Sequence, residues 1–555
     1  MKAKVEGWGT RIGLILAMAG NAVGFGNFLR FPVQAIQNGG GAFIIPYLVS
    51  FLILGIPLLL IEWAIGRYGG QYGFHSTPFM LQSLDRRAIW KYVGIFGIFS
   101  NIGIAAYYTY MESWTLAYVF HSLLGSFQGL NQHQVIELFN NYVSLDKATL
   151  IPFESIWFFL LCLFLNVYIL SKGLSGGVEK VALIAMPLLI LFGIFLAIKA
   201  VSIKAGDHGA VENGIAGLNF LWTPHFDSIW NPKVWFAAAS QIFFTLSLGM
   251  GSIQAYASYL KQKDDIVLNS MTAGWTNEFV EVVLGGAIVI PISIGFLGFD
   301  KVVEITQIGG LGLGFKTLPY LFYQWGDAMG TIVSLLWFTL LFFAGITSSL
   351  AMGVPVQGFL RDEFGFSTKA SAYIFGIIIL LLGIPTVVFF NEGVFDEYDY
   401  WTGSFSLFVF AALEAILFAW FFGYKKGWEE INRGAEIKIP NMYKYIIGYV
   451  TPVLLILVFL GTVFKPVDND WIAAFQQLFS GQGWPFAYDS LVGKIANLEL
   501  KHQLSIATDP DIILQIKRRI WLSNFAKILL LVVFIAIGYF VYLAYKKRKK
   551  ENRWI

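Results

Sequence analysis

Twelve runs of about 20 mostly apolar residues divide this chain, and an α-helix needs a run of that length to cross a bilayer. They fall at roughly 12–36, 42–66, 90–124, 155–171, 181–200, 234–258, 267–297, 328–359, 370–390, 400–423, 443–464 and 520–545. A soluble reading fails on charge. Only 13% of the 555 residues are charged, about half the density of soluble domains, while 57% are hydrophobic. No polar linker separates domains of soluble size. The 17% aromatic share fits Trp and Tyr placed at two membrane interfaces.

Other classes are excluded. A single cysteine, Cys162, sits in an apolar run and rules out a disulfide framework or a Cys-based metal cluster. His75, His121, His133, His208, His225 and His502 are scattered, and no Ser-His-Asp, His-Glu or metal constellation argues for an enzyme. A net charge of +3 implies no nucleic-acid partner; the expected surroundings are the lipid bilayer. The first run lacks a small-residue cleavage pattern and leads straight into the second, so no cleaved signal peptide is expected. Lys and Arg gather in the N-terminus (Lys2, Lys4, Arg11), the second connection (Arg67, Arg86, Arg87, Lys91), the tenth (Lys425, Lys426, Arg433, Lys438) and the tail (Lys546 to Arg553). With an even number of spans, both termini are expected in the cytoplasm. Lys517, Arg518 and Arg519, near the outer face, are the exception.

Two spans are broken by glycine at their centres. The first carries Gly20-Asn21-Ala22-Val23-Gly24-Phe25-Gly26-Asn27. The sixth carries Phe244-Thr245-Leu246-Ser247-Leu248-Gly249-Met250-Gly251-Ser252. They head the first and second groups of five spans. Glycine also serves close packing of membrane helices. Two such breaks, each flanked by Asn, Thr or Ser, point instead to a midplane binding site in an inverted-repeat transporter. Unwound backbone frees carbonyls that suit a hard cation and amides that suit a carboxylate. The oxygens available nearby are Asn21, Asn27, Thr245, Ser247, Asn277, Thr347, Ser348 and Ser349. The hydroxyl run in 344–349 alone reads as interhelical glue; beside two broken helices it reads as ligands. Charges in or near spans are few: Arg30, Glu62, Glu112, Glu278, Glu281, Asp362 and Asp399. Such groups are functional by default, although Glu62 and Glu112 read equally as structural hydrogen-bonders.

These motifs resemble the neurotransmitter:sodium symporter family, most of all its bacterial members. The likeness runs through Trp8 to Pro32, Asn38-Gly-Gly-Gly-Ala-Phe, Glu62-Trp-Ala-Ile-Gly-Arg67, Gln241 to Gly249, Asn277-Glu278 and Ala344-Gly-Ile-Thr-Ser-Ser349. It covers about residues 8–465 and the last span. The resemblance implies an all-α integral membrane protein of about twelve transmembrane helices. Its fold would be the LeuT-like five-plus-five inverted repeat with broken helices 1 and 6. Residues 1–200 would form the first repeat and 201–424 the second. Residues 425–555 would hold the last two spans and a long extracellular loop, 466–519. It further implies sodium-coupled amino-acid uptake by alternating access in a prokaryotic cytoplasmic membrane, with two Na+ ions and no organic cofactor, and it allows a homodimer.

Carried onto matching positions, the resemblance puts sodium site one at Ala22, Asn27, Thr245 and Asn277 with the substrate carboxylate. Site two takes carbonyls of Gly20, Val23 and Ala344 with hydroxyls of Thr347 and Ser348. The substrate pocket comprises Asn21, Ala22, Phe25, Gly26, Ile104, Tyr108, Phe244, Thr245, Ser247, Met250, Ser348 and Met352. Tyr108 and Phe244 match the aromatic lid, Arg30 with Asp399 the outer gate, and Asp362 the inner gate. Glu281 stands where chloride-dependent members carry a neutral residue, so its carboxylate substitutes for chloride. Monoamine carriers of the family place Asp at the position of Gly24; with glycine there, the substrate brings its own carboxylate. No charged residue is among the matched pocket positions, which implies a neutral hydrophobic amino acid.

Some positions depart from the family. The inner gate's arginine is Val5 here, and Lys4 lacks a bidentate fork. Loop 466–519 is long, and Trp471, Phe475, Leu478 and Phe479 would share a helical face, as an interfacial helix or as an ordinary lid. The rival readings are a proton-coupled carrier on the same fold and a non-transporting amino-acid sensor.

Overall fold

The computed structural model describes residues 7–145, 152–224, 226–307 and 309–553. Among these the chain is helical, with no strand and one isolated bridge between Pro466 and Phe486. Ten helices are long and apolar enough to cross a membrane unbroken. In chain order they are the second to fifth spans (Gly41–Gly70, Ile89–Leu123, Phe153–Leu170, Leu174–Val201), the seventh to tenth (Ile266–Leu297, Asp327–Phe364, Thr368–Val388, Val394–Phe421) and the last two (Met442–Val463, Pro510–Lys550). The first span is a pair, Arg11–Ala22 and Gly26–Gln37, bent by 46° at its break. The sixth is likewise divided, into Pro232–Thr245 and Ser252–Ala257. All twelve apolar runs are thus helical.

Local chemistry sets the starts of the broken spans. Thr10 caps the first, its side chain accepting from the Gly13 amide. The Glu179 carboxylate, at the start of the fifth span, accepts from the amides of Gly9 (2.7 Å) and Thr10 (2.9 Å) and so holds that cap in place. Pro232, pre-set for a helix start, opens the sixth span behind Asn231, whose side chain accepts from the Lys233 amide.

The last span begins ten residues before its expected start at 520. Asp509 caps it and Pro510 opens it, so the loop ends at 509 rather than 519. The segment 510–519 is polar enough to escape a hydropathy reading. At about 1.5 Å per residue, the 41-residue helix is about twice the ~30 Å hydrocarbon thickness. Its first turns therefore stand in water, where Arg518 pairs with Glu392 at 2.8 Å. In the loop, Trp471–Phe479 is helical. Trp471, Phe475 and Leu478 face a groove formed with Leu457, Leu460, Phe464 and Trp484. Phe479 points away, 84% exposed.

The apolar windows of the third and seventh spans are 83% buried within the chain, those of the fourth and fifth 33% and that of the last 22%. The interior spans lie beside the two broken ones, and the eighth packs on the third and fifth. Basic connections meet at one end of the bundle. Arg67 Nε donates to Glu430 (3.0 Å), Lys91 lies over the Tyr545 ring (3.8 Å), and Arg548 over Phe74 (4.6 Å).

Candidate functional site

In the first span, helical bonding stops at Ala22, and Val23 is extended (ψ 107°). The amides that would close the next turn are diverted. Gly24 N–H donates to Asn27 Oδ1 (2.8 Å), Phe25 N–H to the Tyr108 hydroxyl (3.3 Å), and Asn27 N–H to the Gly24 carbonyl (3.3 Å). The carbonyls of Gly20, Asn21 and Val23 thereby lose their i+4 donors.

The sixth span unwinds after Thr245. Ser247, Gly249 and Gly251 all have positive φ, 54°, 70° and 84°. At Gly249 a Cβ would lie 2.0 Å from the Leu407 carbonyl oxygen, so only glycine fits. Glu62 accepts from the Gly249 amide (2.7 Å) and Asn101 donates to the Met250 carbonyl (2.6 Å). Asn21 stitches the two breaks together. Its carbonyl accepts from Ser247 Oγ (2.9 Å) and its Oδ1 from Ser252 Oγ (3.0 Å). Glu62 is thus a backbone clamp. Glu112 accepts from Asn166 Nδ2 (3.1 Å), and Asn166 Oδ1 accepts from Ser349 Oγ (2.7 Å), which ties the third, fourth and eighth spans.

At the predicted second cation site, three carbonyl oxygens converge on one hydroxyl. Ser348 Oγ lies 3.1 Å from Gly20 O, 3.2 Å from Val23 O and 3.1 Å from Ala344 O. A hydroxyl has one proton to give, so more acceptors meet here than it can serve. Thr347 stands beside them; a Cβ on Gly20 would lie 2.8 Å from Thr347 Cβ, so the first and eighth spans touch here. The donor set is all neutral oxygen, which suits a hard monovalent cation.

The predicted first site also assembles. Asn27 Nδ2 donates to Asn277 Oδ1 (2.9 Å), and Asn277 Nδ2 to Thr245 Oγ1 (3.0 Å). Ala22 lines the adjoining cavity. Glu281 is fully buried in the same cluster. It accepts from Asn27 Nδ2 (3.1 Å), Gln241 Nε2 (2.8 Å) and Thr245 Oγ1.

Between the sites, one cavity is lined by every predicted pocket residue except Asn21. Asn21 stands behind it, holding the break of the sixth span. Tyr107, Gly403 and Leu407 join the lining without a sequence signal. No Lys, Arg, Asp or Glu lines it. Its open volume is only about 30 Å³. Phe25, stacked on Tyr108 with ring centroids 4.7 Å apart, forms part of its wall. A Cβ at Gly24 would lie 2.7 Å from the Tyr108 oxygen, and one at Gly26 2.8 Å from the Phe244 ring.

Of the residues predicted as gates, Tyr108 and Phe244 line this cavity, whereas Arg30, Asp399 and Asp362 do not. Arg30 and Asp399 form no ion pair within 4 Å among the described residues. Arg30 donates to Ser240 Oγ (2.9 Å) and lies over the Phe244 ring (4.5 Å), while Asp399 accepts from the Tyr107 hydroxyl (2.7 Å). Each is engaged elsewhere, Arg30 against the ring of Phe244, which lines the cavity. At the other end Asp362 accepts from the His75 amide (2.8 Å) and meets its Nδ1 (3.1 Å). Val5 and Lys4 lie outside the described residues.

The comparisons agree with this architecture. A model described as the sodium:neurotransmitter symporter family matches residues 5–137 and 130–493. An uncharacterized sodium-dependent transporter of Methanocaldococcus jannaschii is 30% identical over 461 residues, 81% of this chain and 89% of that one. The human sodium- and chloride-dependent GABA transporter 2 is 26% identical over 538 residues, 87% of this chain and 85% of that one. The solved structure of MhsT in complex with L-phenylalanine is similar with a TM-score of 0.70 at 27% identity, over 82% of this chain and 99% of that one. Ten unbroken apolar helices and two divided spans among the described residues, a family match along most of the chain, and the same fold in MhsT lead to one conclusion: the chain belongs to the sodium:neurotransmitter symporter family, a multi-pass, sodium-dependent membrane transporter and not an enzyme.

Proposed function

We propose that the chain is a two-sodium symporter for neutral hydrophobic α-amino acids, independent of chloride and working by alternating access. The observation that carries this reading is a cavity lined by no charged residue, set where the broken spans meet neutral oxygens of the eighth span on one side and Asn277 with the Glu281 carboxylate of the seventh on the other. Residues 1–200 and 201–424 form its two repeats, and both termini face the cytoplasm, where the basic connections meet.

The substrate's own carboxylate completes the first sodium shell. Neither ligand then has a full shell without the other, so each raises the other's affinity. One charge moved across 100 mV is worth about 2.3 kcal/mol. Two sodium ions with a zwitterion therefore carry about 4.6 kcal/mol, over three decades of accumulation at about 1.4 kcal/mol per decade. The sodium gradient adds to this.

The walls at Phe25, Ile104, Phe244, Met250 and Met352 are apolar. A charged side chain among them would be buried without a partner, at a cost of about several kcal/mol. Space at Gly24 is taken by the Tyr108 hydroxyl, so no acidic side chain there can meet an amine lacking a carboxylate. Substrate entry moves Phe25 off Tyr108, and the two methionines adapt in shape. That MhsT is solved with L-phenylalanine supports an aromatic or aliphatic substrate. Competition against labelled L-leucine in sodium tests this directly. Tyrosine and phenylalanine compete, while glutamate, lysine and tyramine do not. Competition by tyramine as strong as by tyrosine would overturn the pocket reading.

A further inference from the structure

The alternating-access reading requires a closure on the cytoplasmic side that opens for release. There, His75 sits in the connection after the second span and touches two other elements. Its amide and Nδ1 both meet the Asp362 carboxylate, near the end of the eighth span, at 2.8 and 3.1 Å. Its ring stacks on Tyr259, just past the sixth span, with centroids 4.3 Å apart. Arg361, beside Asp362, donates to the Tyr259 hydroxyl at 3.2 Å. The backbone approach is close as well, since a Cβ on Gly358 would lie 2.4 Å from the His75 carbonyl oxygen. His75 and Tyr259 also border a cavity of about 660 Å³ shared with Trp8, Thr10 and Arg11 at the start of the first span. The histidine is therefore a bolt between the inner ends of the sixth and eighth spans, at the edge of a space that leads in from that side.

Those two spans carry opposite parts of the ligand shells: Thr245 is on the sixth, Thr347 and Ser348 on the eighth. Inward release has to part them at this end. We propose that His75 is the gating partner of Asp362, supplying the closure for which the first residues of the chain carry Val5 in place of an arginine. It is a positioning residue, and its charge sets the strength of the closure. An imidazole changes charge within the physiological range. The protonated ring forms an ion pair with Asp362, whereas the neutral ring forms only a hydrogen bond. The charged or titratable groups nearest it are Arg361, Tyr259 and Arg553, which donates to the Asp362 carbonyl at 3.2 Å, and across the shared cavity stand Arg11, Lys261, Lys263, Asp264, Asp265 and Glu436. Arg548 pairs with Glu363 and lies over Phe74 and Phe79 at 4.6 Å, which keeps the His75 segment in register with the eighth span. Falling cytoplasmic pH should therefore hold the inner side shut.

The proposal rests on the transport reading, but its test needs no substrate. Ser258→Cys, at a position that lines the cavity beside Tyr259, is made in a Cys162→Ser background. Modification of the full-length protein by a methanethiosulfonate reagent is followed at pH 6 and pH 8. Each rate is normalised to that of the denatured chain at the same pH, to cancel thiol ionisation. In the parent, normalised labelling is slower at pH 6. His75→Phe, which keeps a ring for Tyr259 but not the nitrogen, labels at least about fivefold faster at pH 6 and shows no pH response. Asp362→Asn does the same, and the double variant adds nothing further. His75→Gln keeps a hydrogen-bond donor without a titratable charge; it stays close to the parent at pH 8 and loses the pH response. A pH response that persists in His75→Gln, or labelling of His75→Phe within twofold of the parent, overturns the proposal. Amino-acid uptake by the parent with either of those results would place the fault with His75 alone.

Discussion

Thr347→Val combined with Ser348→Ala abolishes sodium-dependent substrate binding while the protein still folds. Ser348 Oγ is the point on which the carbonyls of Gly20, Val23 and Ala344 converge. Thr347 packs against Gly20 so tightly that valine, with the same branching, is the replacement that keeps the spans in contact. Both changes remove an oxygen and leave the shape nearly as it was. A polar contact to a charged group is worth about 1.5–3 kcal/mol, so losing two lowers sodium affinity by about 100-fold or more. Sodium titration of labelled L-leucine binding reads the effect, and a monodisperse elution profile reports the fold. Sodium dependence equal to the parent's would remove the second site from the account.

Glu281→Ser should create a chloride requirement, since on the proposed reading the buried carboxylate supplies the negative charge that chloride would otherwise bring. The Glu281 carboxylate accepts from Asn27 and Thr245, two residues of the first site, and from Gln241. A unit negative charge held there lowers the cost of bringing a cation and a carboxylate into the same buried cluster. At 4 Å and an effective dielectric of 20, such a charge is worth about 4 kcal/mol. Half of that is more than tenfold in affinity. Replacing chloride with gluconate leaves the parent unchanged. In Glu281→Ser, binding in gluconate falls by about tenfold or more and chloride restores it. If the variant binds equally in both anions, the carboxylate has another role.

How much of this was legible in the sequence depends on the property concerned. Apolar length is one-dimensional, so the twelve spans were readable, and so were the Gly-rich centres of the first and sixth. Both are helical pairs with the break where the glycines fall. The start of the last span was not, because Asp509-Pro510 is a helix-start signal inside a polar stretch and hydropathy rises only later. The pocket came largely from the family motifs. Tyr107, Gly403 and Leu407 enter it through packing of the tenth span on the third: a Cβ on Gly403 would lie 2.5 Å from the Tyr107 oxygen, so that glycine makes room for the phenol. Asn21 was expected in the pocket wall, yet its Oδ1 and carbonyl serve the two serines of the sixth span. His75 carries no local pattern; only the fold brings it to Asp362.

Uptake into proteoliposomes measures sodium-driven accumulation. Vesicles holding the purified chain are diluted into labelled L-leucine with either sodium or choline outside. A sodium-coupled symporter concentrates leucine above the equilibrium level with sodium, does not do so with choline even under an inward proton gradient, and shows counterflow when the vesicles are preloaded with sodium and unlabelled leucine. Accumulation in choline driven by the proton gradient would make the chain a proton-coupled carrier, and saturable binding without uptake or counterflow would make it a sensor; either result contradicts the account.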